Sequence, residues 1–145
     1  MGVCEHAAVA DDCIFCGIVR GDIPAIKVDE DEHTVAFMDV MPQSPGHTLV
    51  LPKSPSRNIF DADPAALQHA ITIVQKVAIA VQEAFDADGV YIAQFNEPAA
   101  GQTVFHLHFH VIPRHEGVAL KPHSGKMEDG AVLADNAKKI IEALA

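Results

Sequence analysis

The sequence predicts an α+β domain: an antiparallel sheet of about five strands with one long helix and short terminal helices. Three observations point there. Strand-like segments outnumber helical ones. Consecutive strands are joined by links short enough for antiparallel pairing, whereas parallel pairing needs a long crossover. One apolar stripe at three- and four-residue spacing marks a single long helix.

Residues 1–12 read as a flexible tail and 13–145 as one domain. Cys13-Ile14-Phe15-Cys16-Gly17-Ile18-Val19 opens the domain as a short helix ending near Gly21, and Asp22-Ile23-Pro24 reads as a turn. Residues 26–30, 33–40 and 47–53 read as three strands. The second alternates Val35, Phe37 and Asp39 on one face with Ala36, Met38 and Val40 on the other. Pro42-Gln43-Ser44-Pro45-Gly46 is a turn-rich link, and Ser54-Pro55-Ser56 closes the third strand. Asp63 is placed to cap the long helix, with Pro64 at its first position. Its stripe is Leu67, Ile71, Val74, Val77, Val81 and Phe85, and Asp88-Gly89 ends it. Residues 90–96 form the fourth strand, and a loop over 97–102 leads to the fifth, which Pro113 ends. The stretch from Arg114 to Gly130 is irregular, and residues 131–144 form a terminal helix.

The chain has 145 residues, 49% hydrophobic and 21% charged, which suits one globular domain with a real core. Ten basic against twenty acidic side chains give a net charge of -10. That argues against nucleic-acid binding, which depends on basic patches. It does not exclude a small phosphorylated ligand held by local dipoles. No apolar run approaches the roughly 20 residues that span a bilayer, so no membrane partner is expected. The first twelve residues have no signal-peptide core, and three cysteines, Cys4, Cys13 and Cys16, fit a reducing compartment. A cytoplasmic location is expected.

The chemistry concentrates in Phe105-His106-Leu107-His108-Phe109-His110-Val111-Ile112. A strand alternates its side chains, so three imidazoles share one face and Phe105, Leu107, Phe109 and Val111 the other. Burying three imidazoles together requires partners for six ring nitrogens, which is a demanding arrangement for bystanders. Metal binding by all three on one ion is disfavoured. Residues four apart on a strand lie about 13 Å apart, and metal–nitrogen bonds are about 2 Å. Adjacent pairs could share an ion with ligands from elsewhere. The remaining reading is nucleophilic catalysis, in which a neutral imidazole held in one tautomer attacks phosphorus and later departs. Upstream, Asn96 ends a strand and Gly101-Gln102-Thr103 precedes the histidines, a loop suited to presenting N–H groups to an anion.

These residues resemble the histidine triad (HIT) family of nucleotide hydrolases and transferases, whose motif is His-x-His-x-His followed by apolar residues. His106, His108 and His110 with Val111 and Ile112 match it. The resemblance runs from about Ile14 to Arg114 and includes residues 37–40, Pro45-Gly46-His47 and residues 101–113. It implies unequal roles. His108 would be the nucleophile, His110 would contact the transferred phosphate, His106 would orient the nucleophile through its carbonyl, and His47 would support the site. Asp39 would hold ribose hydroxyls; read by itself, it is equally a strand-end carboxylate capping a turn. Phe15, Ile18, Phe37 and Val40 would line the base pocket. Asn96, Gly101 and Thr103 would touch phosphate, and Gln102 would face the leaving group.

The resemblance also implies purine nucleotide conjugates of AMP or GMP as substrates, no required cofactor, and a homodimer that extends the sheet. Alternatives within it are hydrolysis of dinucleoside polyphosphates, towards which Gln102 and Ile112-Pro113-Arg114 lean, and a nucleotide-binding scaffold with weak turnover. A metalloprotein using the histidines as ligands is a third class. Some family members hold structural zinc through a pair like Cys13-x-x-Cys16, the first triad histidine (His106 here) and a histidine just after the third strand. Pro55 stands there in this chain, so water or a substitute such as His33 would complete the set. Cys4-Glu5-His6 could also recruit metal, and residues 116–126 could shape leaving-group specificity.

Overall fold

The computed structural model describes residues 13–122 and 126–145. The tail, with Cys4-Glu5-His6, and residues 123–125 of the 116–126 segment lie outside the described residues. The elements in order are α1 (Ile14–Arg20), β1 (Lys27–Glu30), β2 (Thr34–Met38), β3 (Thr48–Pro52), α2 (Pro64–Ala84), β4 (Gly89–Ala93), a 3-10 turn (Pro98–Ala100), β5 (Phe109–Arg114) and α3 (Gly130–Leu144). The five strands form one antiparallel sheet in the order β1-β2-β3-β5-β4. The expected α+β class holds, and the histidine-bearing strand lies inside the sheet.

Each face of the sheet is covered because its strands alternate. Ala36, Met38, Val50, Phe109 and Val111 face α2, where Ala70, Val74, Val77 and Val81 are buried against them. Leu133, Ala137 and Ile140 of α3 close that core. Val35, Phe37, Leu49 and Leu51 face the other way, onto Phe15, Cys16 and Ile18 of α1. α1 begins with the Cys13 sulfur accepting the Cys16 N–H at 3.3 Å and ends at Gly21, whose φ of 86° a side chain would disfavour. Asp63 and Asp129 cap α2 and α3 through their carboxylates.

Several details differ from the expectations; among them, the fourth strand is Gly89–Ala93 and leaves Asn96 beyond its end. The buried stripe of α2 runs through Ala70 in place of Ile71, which is half exposed, because 70, 74, 77 and 81 share one face at helical spacing. α2 stops at Ala84, because Asp86 takes a left-handed φ of 48°, and Gly89 belongs to β4 instead of ending the helix. β5 begins only at Phe109 and runs through Pro113. Proline fits because its pairing to β3 has already ended at Val111, leaving no partner for the missing N–H on that side. Lastly, α2 is long and apolar enough to cross a membrane by length and composition alone, contrary to the reading that no run comes near. Here it packs one stripe onto the sheet.

The β2–β3 link brings His47 to the sheet. Gly46 has a φ of 95°, and a Cβ there would lie 2.4 Å from the Phe85 ring. Gly46→Ala therefore combines a disfavoured backbone with overpacking. We expect a loss of roughly 2 kcal/mol or more, read as a lowered urea midpoint.

Candidate active site

Side chains of Leu107, Phe109 and Val111 are buried in the α2-facing core, so the intervening histidines point the other way, as the alternation predicts. Their environments nevertheless differ. Regular pairing starts at Phe109, and the segment carrying His106 and His108 bends before it. The Leu107 N–H, between those two histidines, donates to the Ser56 carbonyl at 3.0 Å.

Backbone anchors assign the tautomers. His108 is 9% exposed, and its Nδ1 lies 2.7 Å from the His106 carbonyl. A carbonyl only accepts, so Nδ1 carries the proton and Nε2 keeps a lone pair. His47 is fully buried, and the Gln43 N–H donates to its Nδ1 at 3.1 Å. The proton of His47 is therefore on Nε2, which lies 2.9 Å from His110 Nδ1. His110 thus accepts at Nδ1 and carries its own proton on Nε2. The chain Gln43–His47–His110 makes His110 a donor, whereas His108 presents a lone pair. The two rings lie 5.1 Å apart. Asp39, buried at the end of β2, accepts the Met41 N–H at 2.8 Å and approaches His47 Nε2 at 3.4 Å. It caps the turn and also faces the relay.

His106 has a third environment. Its Nε2 donates to the Pro52 carbonyl at 2.7 Å, and Nδ1 lies 3.4 Å from Cys16 Sγ. Burial disfavours its charged form, but hydrogen bonds to the Cys13 and Cys16 sulfurs and to Pro52 outweigh that and raise its pKa to about 9. The donor atoms of Cys13, Cys16 and His106 lie within 4.8 Å of one another. Two sulfurs and one imidazole, whose other nitrogen is fixed by a carbonyl, suit zinc. They adjoin a pocket of about 200 Å³ lined by Cys16, Val19, Arg20, Lys53, Pro55 and His106. His33 does not complete the set. Its exposed ring pairs with Glu32 at 3.2 Å and packs on His69 of α2, on the opposite side of the sheet. A second buried trio, Asp39, His47 and His110, has its donors equally close, although the relay already engages them.

The other residues expected here separate into two sets. Phe15 packs edge-on to His108 at 4.9 Å and to Phe37 at 5.4 Å, and Ile18 joins the same cluster. Val40 does not: it is 42% exposed beyond the end of β2. Asn96 exchanges amide bonds with Gln94 and accepts the Ile59 N–H at 3.0 Å. Gly101 supplies a φ of 102° where the 3-10 turn ends. Thr103 is exposed. Gln102 is buried with both ends of its amide engaged. Its oxygen accepts from the Glu97 N–H and Asn58 Nδ2, and its nitrogen donates to the Arg57 and Val104 carbonyls. Gln43, Arg57, Asn58 and Glu97 were not singled out in the sequence. Gln43 acts through its backbone, and the other three meet across about 40 residues, so no local pattern marks them.

The family model for the HIT domain matches residues 20–117. A Hit-like protein involved in cell-cycle regulation from Bartonella henselae is similar in structure, with a TM-score of 0.88 and 52% identity over 92% of this chain and 96% of that one. A zinc-bound histidine triad protein from Mycobacterium smegmatis has a TM-score of 0.82 and 37% identity, covering 93% of this chain and 94% of that one. Adenylylsulfatase HINT3 of Arabidopsis thaliana is 32% identical over 136 residues, 90% of this chain and 69% of the relative. With its three histidines on the expected face of the sheet, this chain belongs to the HIT family.

Proposed function

We propose that the protein is a nucleotidyl hydrolase that cleaves purine nucleoside phosphoramidates or related adenylyl conjugates through a nucleotidyl-histidine intermediate. The observation that carries the reading is the opposite tautomers of adjacent rings, a lone pair on His108 beside an N–H on His110. His108 Nε2 attacks the α-phosphorus, the bond to the leaving group breaks, and water then cleaves the P–N bond to His108. The His110 N–H stabilises charge developing on the phosphoryl oxygens. Phe15, Ile18 and Phe37 form the wall for the base, and Asp39 faces the ribose. Asn96, Gly101 and Thr103 contact phosphate. Gln102 serves as loop support in place of a leaving-group contact, since its amide is fully engaged. The relation to an adenylylsulfatase supports a hydrolase of nucleotide conjugates.

The steps require no metal. Cys13, Cys16 and His106 would hold zinc, which would tie α1 to the histidine segment and supply structure rather than chemistry. Chelator-treated protein should keep hydrolysis within about twofold while melting at a lower temperature. Loss of the activity on chelation, with recovery on adding zinc, would contradict this.

A second copy of the chain fits the long helix and the edge strand, where Ile71, Ile79, Tyr91 and Ile92 are all at least 45% exposed. Substrate class is tested by initial rates on adenosine 5′-phosphoramidate and on diadenosine tetraphosphate. The phosphoramidate should be the faster; a preference for the tetraphosphate would establish the dinucleoside polyphosphate reading. Nucleotide binding with no His108-dependent turnover would establish the scaffold.

A further inference from the structure

Glu97 has a φ of 78° and a ψ of 155°, a region occupied essentially by glycine alone. Such a conformation persists only where its surroundings over-determine it, and here they do. Arg57 donates to both carboxylate oxygens of Glu97, at 2.8 and 2.9 Å, and Asn58 Nδ2 donates to one of them at 2.8 Å. The Glu97 N–H donates to Gln102 Oε1 at 2.8 Å, and its carbonyl accepts from the Ala100 and Gln102 N–H groups. The Arg57 guanidinium also covers the Phe105 ring at 4.3 Å, next to His106.

Both ends of this cluster reach the triad. Ser56, preceding Arg57, accepts the Leu107 N–H between His106 and His108. Phe95, two residues before Glu97, packs its ring 5.6 Å from that of His110, and Gly101 lies against the same Phe95. Glu97 therefore sits between Asn96 and the Gly101–Thr103 turn, clamped to the strip that also fixes the histidine segment.

We propose that Arg57, Asn58 and Glu97 form a brace that positions the 96–103 loop against His108 and His110, with Glu97 as a positioning residue for the reaction. The inference rests on the hydrolase reading. The carboxylate does not touch substrate; it holds the loop amides where the phosphate would lie. Glycine at 97 could adopt the same backbone without strain, but it would lack the clamp.

The test is steady-state kinetics of Glu97→Ala, Glu97→Gly, Glu97→Gln, Arg57→Ala and the Arg57/Glu97 double alanine variant. Rates on adenosine 5′-phosphoramidate are expressed per site able to form the nucleotidyl-histidine, so that unfolded protein is not counted. Lys76→Ala, which alters a surface ion pair with Asp29, is the control. Glu97→Ala and Glu97→Gly should lower kcat about 10- to 100-fold with KM changed less than threefold, the scale of loss from a misplaced reacting group. Glu97→Gln keeps an acceptor and should lose less. The double variant should be no worse than either alanine variant alone, since one clamp is removed in all three. Full kcat per site in Glu97→Gly or Glu97→Gln together with Arg57→Ala would overturn the brace. Wild type that forms no nucleotidyl-histidine fails the hydrolase reading itself, a result distinct from labelled wild type with unaffected variants.

Discussion

Replacing His108 by alanine is expected to lower kcat/KM by on the order of 10⁴-fold or more, the scale seen when the nucleophile of a covalent mechanism is removed. The reason lies in the ring's fixed tautomer. The His106 carbonyl takes the Nδ1 proton, so Nε2 is a nucleophile without prior proton transfer, and no neighbouring ring presents an equivalent lone pair. His106 Nε2 donates to Pro52 and His110 Nδ1 accepts from His47. The ring is only 9% exposed and packs edge-on to Phe15, so its removal also costs packing, and the rate is compared on folded protein. Residual hydrolysis close to wild type in a folded His108→Ala protein would remove His108 from the nucleophile's role.

His110→Ala should cost about 10²- to 10³-fold in kcat, as removal of one preorganised donor to a developing oxyanion does. The donor exists only because the Gln43 N–H forces the proton of His47 onto Nε2. His47→Ala should therefore slow the reaction about 10- to 100-fold without touching substrate, in keeping with the loss of an orienting partner. His47→Gln, whose amide N–H can still reach His110 Nδ1, should recover part of that loss. Equal kcat in His47→Ala and His47→Gln, at matched thermal stability, would show that the relay does not set the His110 tautomer. Asp39 faces the same Nε2 at 3.4 Å.

The fold was legible where local patterns decide it. Asp63-Pro64 announced α2, and strict alternation placed Leu107, Phe109 and Val111 in the core with the histidines opposite. What sequence could not show was tertiary. The histidine run reads as one strand from Phe105, yet pairing begins at Phe109, because the Leu107 N–H is drawn to Ser56 instead of to a sheet neighbour. Pro113 reads as a terminator, but its place beyond the β3 ladder makes it harmless.

The site shows the same division. The three histidines and His47 were visible as residues, but the backbone groups that set their tautomers, on Gln43, Pro52 and His106, carry no sequence signature. The family resemblance implied that Gln102 faces the leaving group. Its amide is instead engaged by Arg57, Asn58, Glu97 and Val104. Pro55 stands where the resemblance expects a fourth zinc ligand, and His33, the substitute considered, is turned towards His69 on the opposite side of the sheet.

The most direct test of the account is rapid acid-free quenching of wild-type protein during turnover of adenosine 5′-phosphoramidate, followed by peptide mapping in the mass spectrometer. One adenylyl group per active chain is expected, attached to His108 and lost with time as water releases AMP. An adduct on His106, His110 or His47, or steady turnover with no covalent adduct, would contradict it.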